Sequence, residues 1–464
     1  MTQTNLDKNT DAGAAGAEPL PTWNLADLYP GRESKELNRD LDRIEADAKR
    51  FRDRYAGAVA DLSGDDLADA IAAFEAMSET IGRIMSFASL EYAGNISDPA
   101  TGRFFQSMQE RVNTISAQLI FFTLDINQID EDALAARMTD SAALAHYAPW
   151  LRDTRAFRDH ELSDEMERLL HEKEVAGRAA WSRLFDETIA GLRFDVGGKD
   201  LTEAETLNLL SDSDRAKREA AGRALGAVFG KNARLFAHIT NTLAKDKEID
   251  DRWRNFKRPV SSRNLANHVE DEVVDALVSS VRAAYPKLSH RYYAMKAKWL
   301  GLDTLRFWDR NAPLPDSDDK TIPWEAAQET VLSAYRRFTP ALAELGTRFF
   351  DQGWIDAQVR PGKASGAFSH PTVPSAHPYI LLNYQGRVRD VMTLAHELGH
   401  GVHQLLAAKQ GALMANTPLT LAETASVFGE MLTFRSMLDA ESDPKRRRVM
   451  LAGKIEDMLN TVVR

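Results

Sequence analysis

Two histidines four residues apart with a glutamate between them, His396, Glu397 and His400, are the side chains of this sequence whose type and spacing can do chemistry. On a helix that spacing stacks both imidazoles on one face, one turn apart, where they can hold a single metal ion. Glu397 then points to the side, placed to handle a proton from water on that ion. Catalytic zinc usually has three protein ligands and one open position. His403 is the nearest further histidine. It lies two turns up the same helix, roughly 10 Å from His396 along the axis. His403 is therefore expected to line the pocket or to donate to a neighbouring group. The better third ligand is Glu423, in the stretch TPLTLAETASVFGEMLTFRSMLD. There Glu423, Ser426 and Glu430 are spaced i, i+3, i+7 on one face of a second helix, with Thr417 as its N-cap and Pro418 at its first position. Apolar neighbours predict that this helix is largely buried, so its acidic residues need partners. Glu423 is the expected ligand and Glu430 the expected acceptor for a histidine N–H; a salt-bridged helix glutamate is the alternative for each.

The elements that must position these groups are legible around them. Residues 390–411, DVMTLAHELGHGVHQLLAAKQG, read as one helix with Asp390 as N-cap and Gly411 as stop. Val391, Leu394, Ala395, Leu398, Val402 and Leu405 form one apolar stripe, and the histidines fall about 150° away from it. Gly399 and Gly401 each weaken such a helix by up to ~1 kcal/mol relative to alanine, which implies a close approach to its backbone. Upstream, residues 351–389 are rich in Gly, Pro and Ser, and Pro378 to Tyr384, PYILLNY, reads as a strand. A strand beside a zinc helix can bind a peptide as one more strand. An ordinary core strand fits the same residues.

The rest of the chain reads as helices. The 464 residues are 44 % hydrophobic and 27 % charged, an ordinary globular composition long enough for more than one domain. A net charge of -11 and a pI near 5.6 argue against nucleic acid as a partner. No apolar run approaches the ~18 residues of a membrane span. The absence of cysteine excludes disulfides, thiolate catalysis and Cys-ligated zinc, and fits a cytoplasmic location. Gly197-Gly198-Lys199 is not a phosphate loop, because Arg193 stands where that motif needs glycine. There is also no G-x-S-x-G elbow. Amphipathic segments cover Leu37–Tyr55, Asp65–Tyr92, Leu162–Ala179, Glu203–Lys245, Asp271–Leu300 and Trp324–Phe350, with a short hairpin from Leu192 to Asp200 and a proline-bearing loop from Asn311 to Pro323. The expected fold class is mostly α with a small β-sheet beside the HExxH helix. The expected organisation is a disordered tail over residues 1–21, a helical domain over 22–190 and a catalytic domain over 191–464.

HELGHGVH at 396–403 followed by AETASVFGE at 422–430 resembles the M3 family of zinc metallopeptidases, the thimet oligopeptidase and oligoendopeptidase F group. RPGKASGAF at 360–368, the PYILLNY strand, WNLADLYPG at 23–31 and HRYYAMKAKWLGL at 290–302 resemble its oligoendopeptidase F branch. The resemblance implies one zinc ion per chain on His396, His400 and Glu423, Glu397 as general base, and Gly366 and Ala367 near the substrate. It further implies a two-lobed helical fold around a channel that admits short peptides. Members of that family continue into a C-terminal segment with a histidine and tyrosines that assist the transition state. The apolar spacing of Val449, Ile455, Met458, Leu459 and Val462 runs to the last residues without a stop signal, so the sequence is expected to be truncated within a helix and incomplete in its catalytic domain. Loss of such donors typically costs ~3 kcal/mol of transition-state stabilisation, and the chain is expected to be weakly active or inactive. The expected function is zinc-dependent hydrolysis of oligopeptides; the alternative is a helical peptide-binding protein with a structural or vestigial metal site. Neither the cleavage preference nor the oligomeric state follows from the sequence.

Overall fold

The computed structural model describes residues 19–315 and 321–463. Residues 1–18 of the expected tail, and residues 316–320 of the expected loop, lie outside them. The end of that tail is engaged: Leu20 packs on the core, and the Pro21 carbonyl accepts the Ala357 N–H at 2.9 Å. Helices dominate. Lys35–Tyr55 is typical: Ser34 caps it by accepting from the Leu37 N–H, and Leu37, Leu41, Ile44, Ala48, Phe51 and Tyr55 recur at helical spacing on the buried face. The helix Gly64–Gly94 starts at Ser63 in the same way. One continuous hydrophobic core unites residues between Leu25 and Leu151 with residues between Ala327 and Val402. The expected division at residues 190 and 191 follows the order of the chain, whereas this core draws on both sides of it.

Four expected long helices are each broken in two. Gly177 separates Asp164–Glu174 from Arg178–Gly191. Asp214 caps a new helix, Arg215–Trp253, after Glu203–Leu209 ends. Pro286 lies between Asp271–Ala284 and Ser289–Trp299, and Pro340 opens Pro340–Asp351 after Trp324–Phe338. At Asp214, Pro286 and Pro340 a residue that cannot continue the i to i−4 ladder, or that competes for it, overrides an unbroken apolar period; at Gly177 the break falls on a residue of low helix propensity.

Five short strands occur among the described residues. Phe194–Val196 (β1) and Lys199–Leu201 (β2) form the expected hairpin. Ile355–Asp356 (β3), Phe368–His370 (β4) and Tyr379–Leu381 (β5) form a second sheet in the order β3-β5-β4. β5 pairs parallel with β3 and antiparallel with β4, so both of its edges are taken. The PYILLNY strand therefore serves as the core strand, and the outer edge of β4 is the one facing the HExxH helix. The segment WNLADLY backs this sheet: the Trp23 ring lies against Phe368 and Tyr379, and the Tyr379 hydroxyl donates to the Asn24 carbonyl at 2.8 Å.

Between β3 and β4 the chain is held by a buried charge cluster. Asp356 accepts from Lys363 Nζ at 2.7 Å and from both terminal nitrogens of Arg360 at 2.7 Å. Desolvation pulls the Lys363 ammonium down to about 8 despite the carboxylate beside it. Asn383 adds two bonds from its amide to the carbonyls of Ala364 and Gly366. Residues 360–367 thus reach β4 along a fixed path. Among the described residues no helix is long and apolar enough to cross a membrane.

Candidate metal centre

The HExxH helix spans Val388–Ala407 and continues as one 3-10 turn to Gln410. Asp390 is its third residue rather than its cap, and accepts the N–H groups of Gln385 and Arg387. Gly411, at φ +86°, ends it. The glutamate helix spans Leu419–Ala440, starting after Pro418 rather than at it. It is less buried than expected. Leu419, Leu421, Val427 and Phe428 are exposed, while Ser426, Gly429, Glu430, Thr433 and Phe434 form the covered face.

The two helices cross where glycine removes the side chain. A Cβ on Gly399 would stand 2.7 Å from the Ala425 carbonyl oxygen, and one on Gly429 would stand 2.9 Å from the Ala395 carbonyl oxygen. Gly401 serves the opposite side, where a Cβ would meet the Phe349 ring at 2.6 Å. The close approach that the two helical glycines imply is thus observed. At the crossing the buried Tyr335 hydroxyl donates to the Ala395 carbonyl at 2.8 Å.

This crossing brings His396, His400 and Glu423 together, with one donor atom of each within 4.8 Å of the others. Glu423 Oε2 lies 3.2 Å from His396 Nε2 and 3.5 Å from His400 Nε2. A tetrahedral ion with bonds of ~2.1 Å needs neighbouring donors about 3.4 Å apart. Two imidazoles and one carboxylate at these separations fit a zinc ion. Glu430 lies behind the site, with its Oε2 3.4 Å from His396 Nδ1. Its other oxygen accepts from Lys454 Nζ, on the helix Pro444–Val463. Burial alone would raise the Glu430 pKa, but the bonds from His396 and Lys454 pull it down to about 2. Burial would likewise lower His396, and the Glu430 bond with the carboxylates of Glu397 and Glu423 raises it instead. His400 is lowered, by burial and by the neighbouring imidazoles, against the pull of Glu423.

Glu397 is 7 % exposed, and burial pushes its carboxyl up to about 7, with the His396 charge opposing and Glu423 adding to the rise. The backbone N–H of Ser369, in β4, donates to it. The Ser369 carbonyl accepts from Gln404 Nε2 at 3.2 Å, and its hydroxyl donates back to Gln404 Oε1 at 2.8 Å. β4 is thereby tied to the HExxH helix one turn on either side of His400. His403 lies outside the three-residue group and is half-buried beside His400. Gly366, at φ +80°, and Ala367 lie just before β4.

Ser369, Gln404 and Lys454 were not legible as site residues, because each comes from a separate element with no motif of its own. Ser426 lies one turn on from Glu423, and its hydroxyl donates to Glu423 Oε2 at 2.8 Å.

Residues 208–463 match the sequence model of Peptidase family M3. The chain belongs to that family. Residues 125–194 match a second model, described as Oligopeptidase F, in agreement with the branch that the motifs resemble. This M3 chain is 28 % identical over 460 residues to the oligopeptidase PepF of Bacillus subtilis (strain 168), covering 96 % of itself and 66 % of that protein. An oligoendopeptidase F homolog of Lactococcus lactis subsp. lactis (strain IL1403) is 24 % identical, with 96 % of this chain and 74 % of that one covered. The M3 chain thus spans just under two thirds of the length of the Bacillus relative. The crystal structure of oligoendopeptidase-F from Enterococcus faecium shares the fold, with a TM-score of 0.64 at 21 % identity over 92 % of this chain and 72 % of that one.

Proposed function

We propose that this M3 chain is a zinc-dependent endopeptidase that hydrolyses short peptides, with one zinc ion on His396, His400 and Glu423 and with Glu397 as general base. The observation that carries the reading is the donor triangle with a buried carboxyl next to it. A zinc ion bound there would acidify a water molecule and polarise a peptide carbonyl. Glu397 takes the proton of the attacking water and returns it to the leaving amine; a carboxyl raised to about 7 is suited to both transfers near neutral pH. Glu430 fixes the ring of His396 through Nδ1, leaving Nε2 toward Glu423. Lys454 holds Glu430 in turn.

The peptide is placed along the outer edge of β4. Phe368 and His370 pair inward with Leu381 and Tyr379, so the backbone groups of Ala367 and Ser369 point outward. Those of Ser369 are engaged by Glu397 and Gln404. Ala367, which has no backbone partner among the described residues, is left to pair with a substrate strand beside the scissile bond. We also infer a cytoplasmic location, supported by the absence of cysteine.

The test is zinc content and cleavage of quenched fluorescent peptides of varied length by the 464-residue chain and its Glu397→Gln variant. The expected result is one zinc per chain in both and a loss of roughly 10²–10⁴-fold in hydrolysis in the variant. Cleavage is followed over days, to register the weak activity expected from the sequence, and a zinc-loaded wild-type chain that binds peptides and cuts none in that time would replace this reading with that of a peptide-binding protein.

A further inference from the structure

The glutamate helix begins in a stretch that packing does not hold. No residue from Leu419 to Ala425 is buried, and the covered face of the helix starts only at Ser426. Glu423 therefore stands in opening turns whose place depends on hydrogen bonds. Such an end frays unless its free N–H groups find acceptors. The Pro418 carbonyl takes those of Leu421 and Ala422, both at 3.0 Å. Pro418 itself offers no side-chain acceptor, and the helix has no side-chain cap from its own segment. The acceptor comes from 152 residues away. The Leu419 N–H donates to Asn267 Oδ1 at 3.0 Å. Beside it the Thr420 hydroxyl donates to the Asn267 carbonyl at 2.8 Å.

Asn267 is fixed from its own side. It ends the short helix Ser261–Ala266, and its side-chain amide donates to the Arg263 carbonyl at 2.8 Å, which leaves Oδ1 toward Leu419. His268, at φ +52°, then reverses the chain, and the Val269 N–H returns to the Asn264 carbonyl at 3.1 Å. A residue other than glycine stays in that left-handed region only where its surroundings determine it. Here they do: Asp271 accepts from Ser261 Oγ at 2.6 Å and from the amide of the buried Asn264 at 2.8 Å. The acceptor is thus presented to the glutamate helix by a corner that is closed on itself.

We propose that Asn267 is a positioning residue of the metal centre: it caps the glutamate helix from another element and so holds Glu423 opposite His396 and His400. The inference rests on the reading of Glu423 as a zinc ligand. A frayed opening turn carries Glu423 away from the imidazoles, so zinc binds only the capped fraction of the chain and its apparent affinity falls in proportion. Loss of a cap typically shifts such an equilibrium by roughly two- to thirtyfold. The experiment measures zinc affinity by competition with a chromophoric chelator, and amide exchange over residues 419–424 in the metal-free 464-residue chains. Asn267→Ala is expected to bind zinc roughly three- to tenfold more weakly and to exchange faster over that segment by a similar factor. Asn267→Asp keeps an acceptor at a helix N-terminus, where negative charge is favoured, and is expected to stay within about twofold of wild type. Asp130→Ala removes an ordinary cap, that of the helix Glu131–Asp140, and should lower the melting temperature while leaving zinc affinity unchanged. A loss below about threefold in Asn267→Ala overturns the proposal, as does an equal loss in Asn267→Asp or in Asp130→Ala; each of these leaves the zinc reading in place. A wild-type chain that binds no zinc overturns both.

Discussion

The geometry of the candidate metal centre depends on Gly399, and the substitution Gly399→Ala measures that dependence. The added Cβ would lie 2.7 Å from the Ala425 carbonyl oxygen and 2.9 Å from Ser426 Cα, against the 3.4 Å at which ordinary contact begins. Both obstacles are backbone atoms of a helical turn, so relief requires moving that turn away by about 0.5–0.7 Å. Glu423 lies on the adjoining residues of the same turn. The same shift would open the 3.2 and 3.5 Å separations from the histidine nitrogens well past the value a tetrahedral ion accepts. Metal sites tolerate errors of only ~0.2 Å in their bonds. Overpacking typically costs ~1–3 kcal/mol, offset by up to ~1 kcal/mol gained from alanine in a helix. If 1–2 kcal/mol of this falls on the zinc-bound state, affinity drops about 5–30-fold. Gly401→Ala is the control, because its Cβ meets the Phe349 ring on the opposite side of the helix. It should lower the melting temperature and leave zinc affinity unchanged. The assay is zinc competition against a chromophoric chelator, with thermal unfolding of the metal-free chains. Wild-type zinc affinity in Gly399→Ala, or an equal loss in Gly401→Ala, would refute the argument.

Three further outcomes follow from the same contacts. Glu430→Gln should weaken zinc binding by roughly 10–100-fold and Lys454→Met by less, since the lysine acts only through Glu430; equal and negligible effects in the competition assay would remove both from the site. Lys363→Met leaves Asp356 buried with Arg360 alone and should cost ~3–5 kcal/mol in chemical denaturation, part of which Asp356→Asn/Lys363→Met should restore. His370, against Ser86, is kept neutral by burial, which holds its pKa down to about 4. The unfolded chain takes up that proton below ~6.5, so stability is full above this pH and falls as the pH drops toward 4, by roughly 2–3 kcal/mol. The His370→Gln chain should lack that component of acid sensitivity, and identical pH profiles for the two chains would show that the ring is protonated in the fold.

What the sequence disclosed of the site is what a single helix can encode. His396, Glu397 and His400 are fixed relative to one another by the α-helical period, and Glu423 and Glu430 by the same period in the next helix. Ser369, Gln404 and Lys454 meet the site only through the tertiary arrangement of β4, the HExxH helix and the helix Pro444–Val463. β5 was legible as a strand but not in its role, since PYILLNY fits a core strand and a peptide-binding one alike; the burial of Tyr379, Ile380 and Leu381 and the pairing of both edges make it the core strand. The breaks at Pro286 and Pro340 were also written in the chain, but the apolar period persisted across them. The near-burial of Asp356 and Lys363 was not, since nothing in RPGKASGAF distinguishes a lysine that caps a sheet from one in water.

Three glutamates surround the proposed ion, and their environments divide the work that residue type alone leaves undivided. Glu423 has a side chain 57 % exposed and two imidazole nitrogens in front of it, so it can give its charge to a cation without first being stripped of water. Glu430 is buried but bonded on both oxygens, to His396 and to Lys454, and is held down at about 2; it stays an anion and serves to orient the ring. Glu397 is as buried as Glu430 yet has no lysine, only the Ser369 N–H, and burial carries it up to about 7. It is poised to gain and lose a proton near neutral pH, where Glu430 stays ionised. The presence of Lys454 at one carboxylate and the lack of a lysine at the other therefore separate the glutamate held as an anion from the one proposed to carry a proton.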